Sequence, residues 1–320
     1  MRRGVFLSVV ALFALVLLPA GVLAQERYAL IVSGVSGGDK FADTQKAQVA
    51  SLQSALEKHM GFTAERITVL TEKGTTVANR DSVTKSLAQL KSRLTAEDTL
   101  LIVLIGHGTF DGTAAKFNLV GPDMDASEWK AALEGNPARL VFVNTTSSSF
   151  PFVSVLSGKN RIVISATDSA AQKYATVFPQ YFVQALEQGE KADNDKNGRL
   201  SVWEAFSYAS QAVKQDFEQK GTLVTERAIM DDDGDGKGKE ATATGADGVL
   251  ARTTFLNSSA AAASGNPALA GLDKRRIEIE AAIEQLKARK GEMPAGQYEE
   301  EFERLAIELA KISAQIRSTK

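Results

Sequence analysis

Thr99-Leu-Leu-Ile-Val-Leu-Ile-Gly-His107-Gly108 runs six apolar residues together, stops at a glycine and then offers a histidine. A short, uniformly apolar run of this kind is a strand buried on both faces, as in parallel sheets covered by helices on either side. Working outward, the same reading applies to Tyr28–Ser33, Ile67–Leu70, Leu140–Val143 and Arg161–Ser165. Between these strands, Val49, Leu52 and Leu56 mark an amphipathic helix. Val83, Leu87 and Leu90 mark a second, with Asp81 placed to cap it, and Ser127–Leu133 a third. The alternation predicts an α/β fold, a three-layer sandwich around a mainly parallel sheet. Ligands of such sheets collect beyond the carboxyl ends of the strands, where His107 and Gly108 fall.

The chain has 320 residues, 44% hydrophobic and 24% charged, a composition that excludes a disordered or fibrous protein. Thirty-seven basic against thirty-nine acidic residues give a net charge of −2, so no nucleic-acid partner and no anionic membrane surface is expected. The absence of cysteine excludes disulfides, thiolate zinc sites and a thiol nucleophile together. Residues 1–24 carry Arg2 and Arg3, an apolar run from Val5 to Leu18, a breaker at Pro19 and small residues before Gln25, the build of a cleaved secretory signal. The expected compartment is therefore periplasmic or extracellular. No membrane span is expected after cleavage.

Residues 25–240 read as the α/β domain, and 241–266, dominated by Ala, Ser, Thr, Gly and Asn, as a linker. In 267–320, Tyr298, Phe302, Leu305, Leu309, Ile312 and Ile316 step by alternating fours and threes. Leu272, Ile279, Ile283 and Leu286 form a matching stripe, and Gly291 to Gly296 with Pro294 supply a turn. This is the pattern of an antiparallel helical hairpin, used for packing or for self-association.

Asp193-Asn-Asp-Lys-Asn-Gly-Arg-Leu-Ser-Val-Trp-Glu204 meets every constrained position of the twelve-residue EF-hand loop. Asp193, Asp195 and Asn197 stand at positions 1, 3 and 5, and Gly198 allows the sharp turn. Arg199 offers its carbonyl at 7, Ser201 can hold a water at 9, and Glu204 closes the cage at 12. An all-oxygen cage suits a hard cation, so Ca2+ is the expected cofactor. Asp231, Asp233 and Asp235, followed by Gly236, repeat the spacing, but Thr242 stands where the closing glutamate belongs. A polar turn and a second, looser site both remain open there.

The run Leu140-Val-Phe-Val143 ends in Asn144-Thr145-Thr146-Ser147-Ser148-Ser149 beside the strand that ends in His107. Adjacent parallel strands ending in a base and a nucleophile are how a Cys/His dyad is built. The chain resembles the caspase-fold cysteine peptidases, nearest to the legumain type, over roughly residues 27–185. The resemblance is carried by Ala29-Leu-Ile-Val-Ser-Gly34, the helix near Ala42–Leu56, Glu65-Arg-Ile-Thr-Val-Leu70, His107-Gly108 and the apolar run before Asn144. It implies a caspase-like sheet, with His107, Gly108 and Thr146 at the family's catalytic positions. Thr146 stands where the family places its cysteine. A hydroxyl needs a positioned base to become a nucleophile, and an internal threonine lacks the terminal amine of the threonine hydrolases.

The reading that follows is a secreted calcium-binding protein with an inactive peptidase-like domain, acting as a binding or scaffold module for a protein or peptide. The alternative is a calcium-dependent hydrolase using His107 with Thr146, Ser147 or Ser148. His107 also fits a purely structural, hydrogen-bonded role. His59 reads as a surface residue at a helix end, and Asp168 as a cap for the helix after the fifth strand or a residue lining the cleft. Gly34, Gly37 and Gly38 lack the spacing of a nucleotide fingerprint.

Overall fold

The computed structural model describes residues 25–243, 247–258 and 266–319; the secretory signal read over 1–24 lies outside them. Five parallel strands form the centre: β1 (Arg27–Ser33), β2 (Ile67–Leu70), β3 (Thr99–Ile105), β7 (Arg139–Asn144) and β8 (Arg161–Ser165). Their order is β2-β1-β3-β7-β8, and β9 (Ile229–Asp231) adds an antiparallel edge beside β8. A second, small sheet joins β4 (Gly108–Phe110), β5 (Ala115–Phe117) and β6 (Met124–Asp125). The sequence pattern reveals neither that sheet nor β9, because strands of two or three residues carry no period.

Side chains alternate across a strand, and here both sets are buried. Ala29, Ile31, Val103 and Ile164 face α1 (Asp39–Lys58), α5 (Phe178–Glu187) and α7 (Val202–Gln219). Leu30, Val32, Ile102 and Val163 face α2 (Arg80–Lys91), α3 (Ala126–Ala132) and α4 (Pro151–Leu156). This is the three-layer α/β sandwich with a mainly parallel sheet. Strand order reverses between β1 and β3, so the crevice of such a fold opens where Ser33–Ser36 and Gly106–Gly108 leave the sheet.

Two expected caps are placed differently. Asn79, not Asp81, caps α2 and accepts from Ser82 N at 2.8 Å, because the helix starts one residue before Asp81. Asp168 caps no helix: it accepts from Gln172 Nε2 at 2.6 Å and lies 3.8 Å from Arg227. Glu226 caps instead, taking Val177 N and Phe178 N, each at 2.8 Å, at the start of α5. Burial pushes its carboxyl up to about 7 against those two hydrogen bonds.

Where the composition of 241–266 suggests a linker, the described part is packed. A short helix, α8 (Val249–Arg252), buries Ala251, and Leu256 is 1% exposed. Asp232 supplies its cap, accepting from Gly248 N at 2.6 Å and Ala251 N at 2.7 Å. Small residues hide this from a compositional reading, and the capping carboxylate comes from another segment. The α/β unit therefore runs on to about Asn257.

Helices α9 (Pro267–Ala288) and α10 (Ala295–Ser318) form the antiparallel hairpin, with Arg275 reaching Glu308 at 2.7 Å. Its own core holds Leu269, Ile279, Ile283, Leu305 and Ile316, with Tyr298, Phe302 and Leu309 half-buried against it. The hairpin docks through charge: Glu280 pairs with Arg199, whose side chain is 1% exposed, and Glu284 lies 3.5 Å from Arg252. None of the described helices is long and apolar enough to cross a membrane.

Two outcomes follow. Leu305→Lys puts a charge into the hairpin seam at a cost of several kcal/mol, roughly the scale of a domain's whole stability. Residues 267–319 should then become protease-sensitive while 25–258 stays resistant in limited proteolysis; simultaneous loss of both would show one shared core. Glu226 has a folded pKa above its unfolded one, so its contribution to stability is full below pH 4.5 and is lost as pH rises through about 7. In chelator-treated protein, the urea-derived stability of wild type minus that of Glu226→Gln should fall by up to about 1.4 kcal/mol per pH unit from pH 5 to 7, then level. A difference independent of pH would refute the assignment.

Candidate functional site

At the carboxyl ends of β3 and β7, the residues proposed for catalysis adjoin but do not engage. The His107 imidazole donates from Nε2 to Ser36 O at 2.9 Å and meets the Phe41 ring edge-on at 4.9 Å between centroids. Ser36 is itself held by Glu72, its hydroxyl donating to Oε2 at 2.8 Å. This arrangement fits the structural role for His107.

Thr146 is fully buried. Its hydroxyl lies 2.7 Å from Asn144 Oδ1, which also accepts the Thr146 N–H at 3.1 Å. Gly108 lies directly over it: a Cβ there would fall 2.3 Å from Ser147 O and 2.6 Å from Thr146 Oγ1, so only glycine fits. Ser147 donates to Gly108 O at 3.0 Å, and Ser149 donates to Thr146 O at 2.7 Å. Residues 144–149 thus form a packed polar plug in which the hydroxyls of Thr145, Thr146, Ser147 and Ser149 donate to carbonyl oxygens already in place. None of these hydrogen bonds reaches His107. The turn ends with Ser148 in the left-handed region at φ 53°, where its N–H reaches Gln172 O at 3.0 Å.

The second locus is the joint between α6 (Gly189–Ala192) and α7. Carboxylate oxygens of Asp193, Asp195 and Glu204 lie within 4.8 Å of one another, a cluster able to hold a metal ion. The local sequence folds the loop: Gly198 N donates to Asp193 Oδ2 at 2.9 Å, Asn197 N to Asp195 Oδ1 at 3.0 Å, and Arg199 N to Asn197 Oδ1 at 2.8 Å. Lys196 and Gly198 take positive φ, 58° and 79°. Ser201 and Glu204 make a capping box at the start of α7, and Asn194 N donates to Glu204 Oε1 at 2.9 Å. Burial, with the Glu204 carboxylate and Asp193 nearby, raises the Asp195 carboxyl above its usual range. Like charges this close disfavour the ionised form, a penalty that a bound cation would offset.

The loop leans on segments that the sequence pattern does not connect to it. Leu200 N donates to Asn257 Oδ1 at 2.7 Å, Leu256 N to Leu200 O at 2.8 Å and Val202 N to Thr254 O at 2.8 Å. The Arg199 guanidinium lies 3.6 Å from the Phe255 ring centroid and pairs with Glu280 of the hairpin. Position 7 of an EF-hand loop is read for its carbonyl, so nothing local marks its side chain as an anchor. Asp231, Asp233 and Asp235 also bring carboxylate oxygens within 4.8 Å of one another. His59 is exposed at the end of α1.

No family model matches the chain, and no curated protein matches it. Among solved structures, protein GSU0716 from Geobacter sulfurreducens is similar at 12% identity and a TM-score of 0.42, over 64% of this chain and 92% of that one.

The geometry at Thr146 has a direct check, since Thr146→Cys would be the sole cysteine of the chain. Its alkylation by iodoacetamide should be slower than that of a free thiol and unchanged by His107→Ala, because the position is sealed beneath Gly108. Fast alkylation that depends on His107 would contradict the packed plug.

Proposed function

We propose that the chain is a secreted, calcium-binding protein of caspase/legumain-like type, without peptidase chemistry, that serves as a binding or scaffold module for a protein or peptide. The observation that carries this reading is the convergence of Asp193, Asp195 and Glu204 in a loop whose other donors are also oxygens. Asp193, Asp195, Asn197, the Arg199 carbonyl, Ser201 and Glu204 would hold the ion, a donor set that suits calcium and not a soft metal. Calcium would neutralise the crowded carboxylates. The burial of Thr146 and the engagement of His107 with Ser36 support the absence of catalysis.

Arg199 gives calcium something to act on. Its backbone belongs to the loop, and its guanidinium lies between Phe255 and Glu280. Ordering the loop therefore favours the docked hairpin, and the exposed sides of α9 and α10 are the surface offered for a partner or for a second copy. Secretion rests on the composition of residues 1–24.

Chelator-stripped protein should melt several degrees higher in millimolar calcium, since a ligand at about one hundred times its Kd adds about 2.7 kcal/mol. Glu204→Gln should reduce that shift. A shift equal to that of wild type would remove the loop from the reading. Peptide esters and amides should not be turned over. Calcium-dependent turnover lost in His107→Ala would replace the proposal with the hydrolase that uses Thr146, Ser147 or Ser148.

A further inference from the structure

The 231–237 loop repeats three backbone-to-carboxylate or backbone-to-amide hydrogen bonds of the 193–199 loop. In both, the sixth residue donates to the first: Gly236 N to Asp231 Oδ1 at 3.3 Å, as Gly198 N to Asp193. In both, the fifth donates to the third, Asp235 N to Asp233 Oδ1 at 2.9 Å, as Asn197 N to Asp195. The seventh donates to the fifth, Lys237 N to Asp235 Oδ1 at 2.7 Å, as Arg199 N to Asn197. The fourth and sixth residues take positive φ in each, Gly234 at 84° and Gly236 at 76°.

Turn geometry alone does not require an ion. The independent observation is Asp231. It ends β9, opposite Val163 in the main sheet, and is completely buried. Its Oδ2 has no hydrogen-bond partner of normal geometry, the Ser157 hydroxyl nearby being likewise unpaired and the one protein group that offers it a weak contact. A buried carboxylate oxygen left without a partner costs several kcal/mol unless a charge meets it. Among the described residues, no lysine or arginine lies within ion-pair distance of Asp231, Asp233 or Asp235; Lys239 pairs with Asp247 instead, at 3.2 Å. A cation at the point where two further carboxylates converge would supply the missing positive charge.

We propose that Asp231, Asp233 and Asp235 form a second calcium site, built on the edge of the central sheet. Thr242 is exposed at the twelfth position and offers no bidentate carboxylate. The site is accordingly weaker than the loop closed by Glu204. Because it shares no ligand with that loop, it stands or falls separately.

The test is equilibrium dialysis of the full chain against radioactive calcium, with millimolar magnesium present to suppress loose binding to surface carboxylates. Wild type should bind two equivalents, and Glu204→Gln one, with the tighter one lost. Asp233→Asn with Asp235→Asn should also leave one, with the weaker one lost; both side chains are exposed, so the fold should survive, as circular dichroism would verify. The combined variant should bind none. One equivalent in wild type that disappears in Glu204→Gln and is untouched by the paired Asn variant would overturn the second site while leaving the first. One equivalent retained in Glu204→Gln and lost in the paired variant would support the second site and refute the first. No calcium bound by wild type would overturn both.

Discussion

Every residue of β3 is buried, and that constraint organises the molecule. A strand with no exposed side chain needs cover on both faces, so helices occupy two layers and polar groups are pushed to the strand ends and the joints between helices. At the end of β7 the solution is a plug of hydroxyls and amides, Asn144 to Ser149, whose hydrogen bonds close on their own turn, on Gly108 and on Thr167. Such a plug satisfies most of its buried groups, Asn144 Nδ2 being left without a partner. Within it the Thr146 hydroxyl is held away from solvent, donating to Asn144 Oδ1.

The acidic loops answer a different need. Each ends an element of the main unit, and each gathers carboxylates that repel one another at close range. In the first loop the neighbours are built to hold that arrangement: residues 254–257 pair with Leu200 and Val202, and the Arg199 guanidinium is enclosed by Phe255 and Glu280. A buried guanidinium is costly unless paired, so the hairpin cannot leave without exposing or stranding that charge. Its Nε and Nη1 have no hydrogen-bond partner, so Glu280, the Phe255 face and the nearby Asp273 carboxylate offset its burial. The hairpin's own core is separate, so this polar contact and α8 are what join it to the α/β unit.

All five parallel strands were legible from apolar runs, and the hairpin from its heptad step, because these signals are periodic and local. The spacing of 193–204 was legible for the same reason: an EF-hand loop folds on side chains two to five residues away, as Gly198 N to Asp193 shows. The Asp231 loop had equal local evidence but lacked a closing glutamate, and only the structure revealed that Asp231 is buried with a free oxygen. Residues 241–266 read as a linker because composition averages over residues, whereas within 247–258 the cap for α8 is Asp232, sixteen to nineteen positions upstream.

The sequence by itself determined the strands, the helices between them, the heptad hairpin and the spacing that brings Asp193, Asp195 and Glu204 together. These rest on interactions between neighbours in the chain, whose geometry follows from residue spacing. Tertiary structure alone decided that Gly108 seals Thr146, that His107 is turned to Ser36, and that Arg199 reaches Glu280, 81 residues away. Those contacts arise only after the sheet has brought distant segments together. Burial, which sets the energy of every polar group among them, is a property of the packed whole.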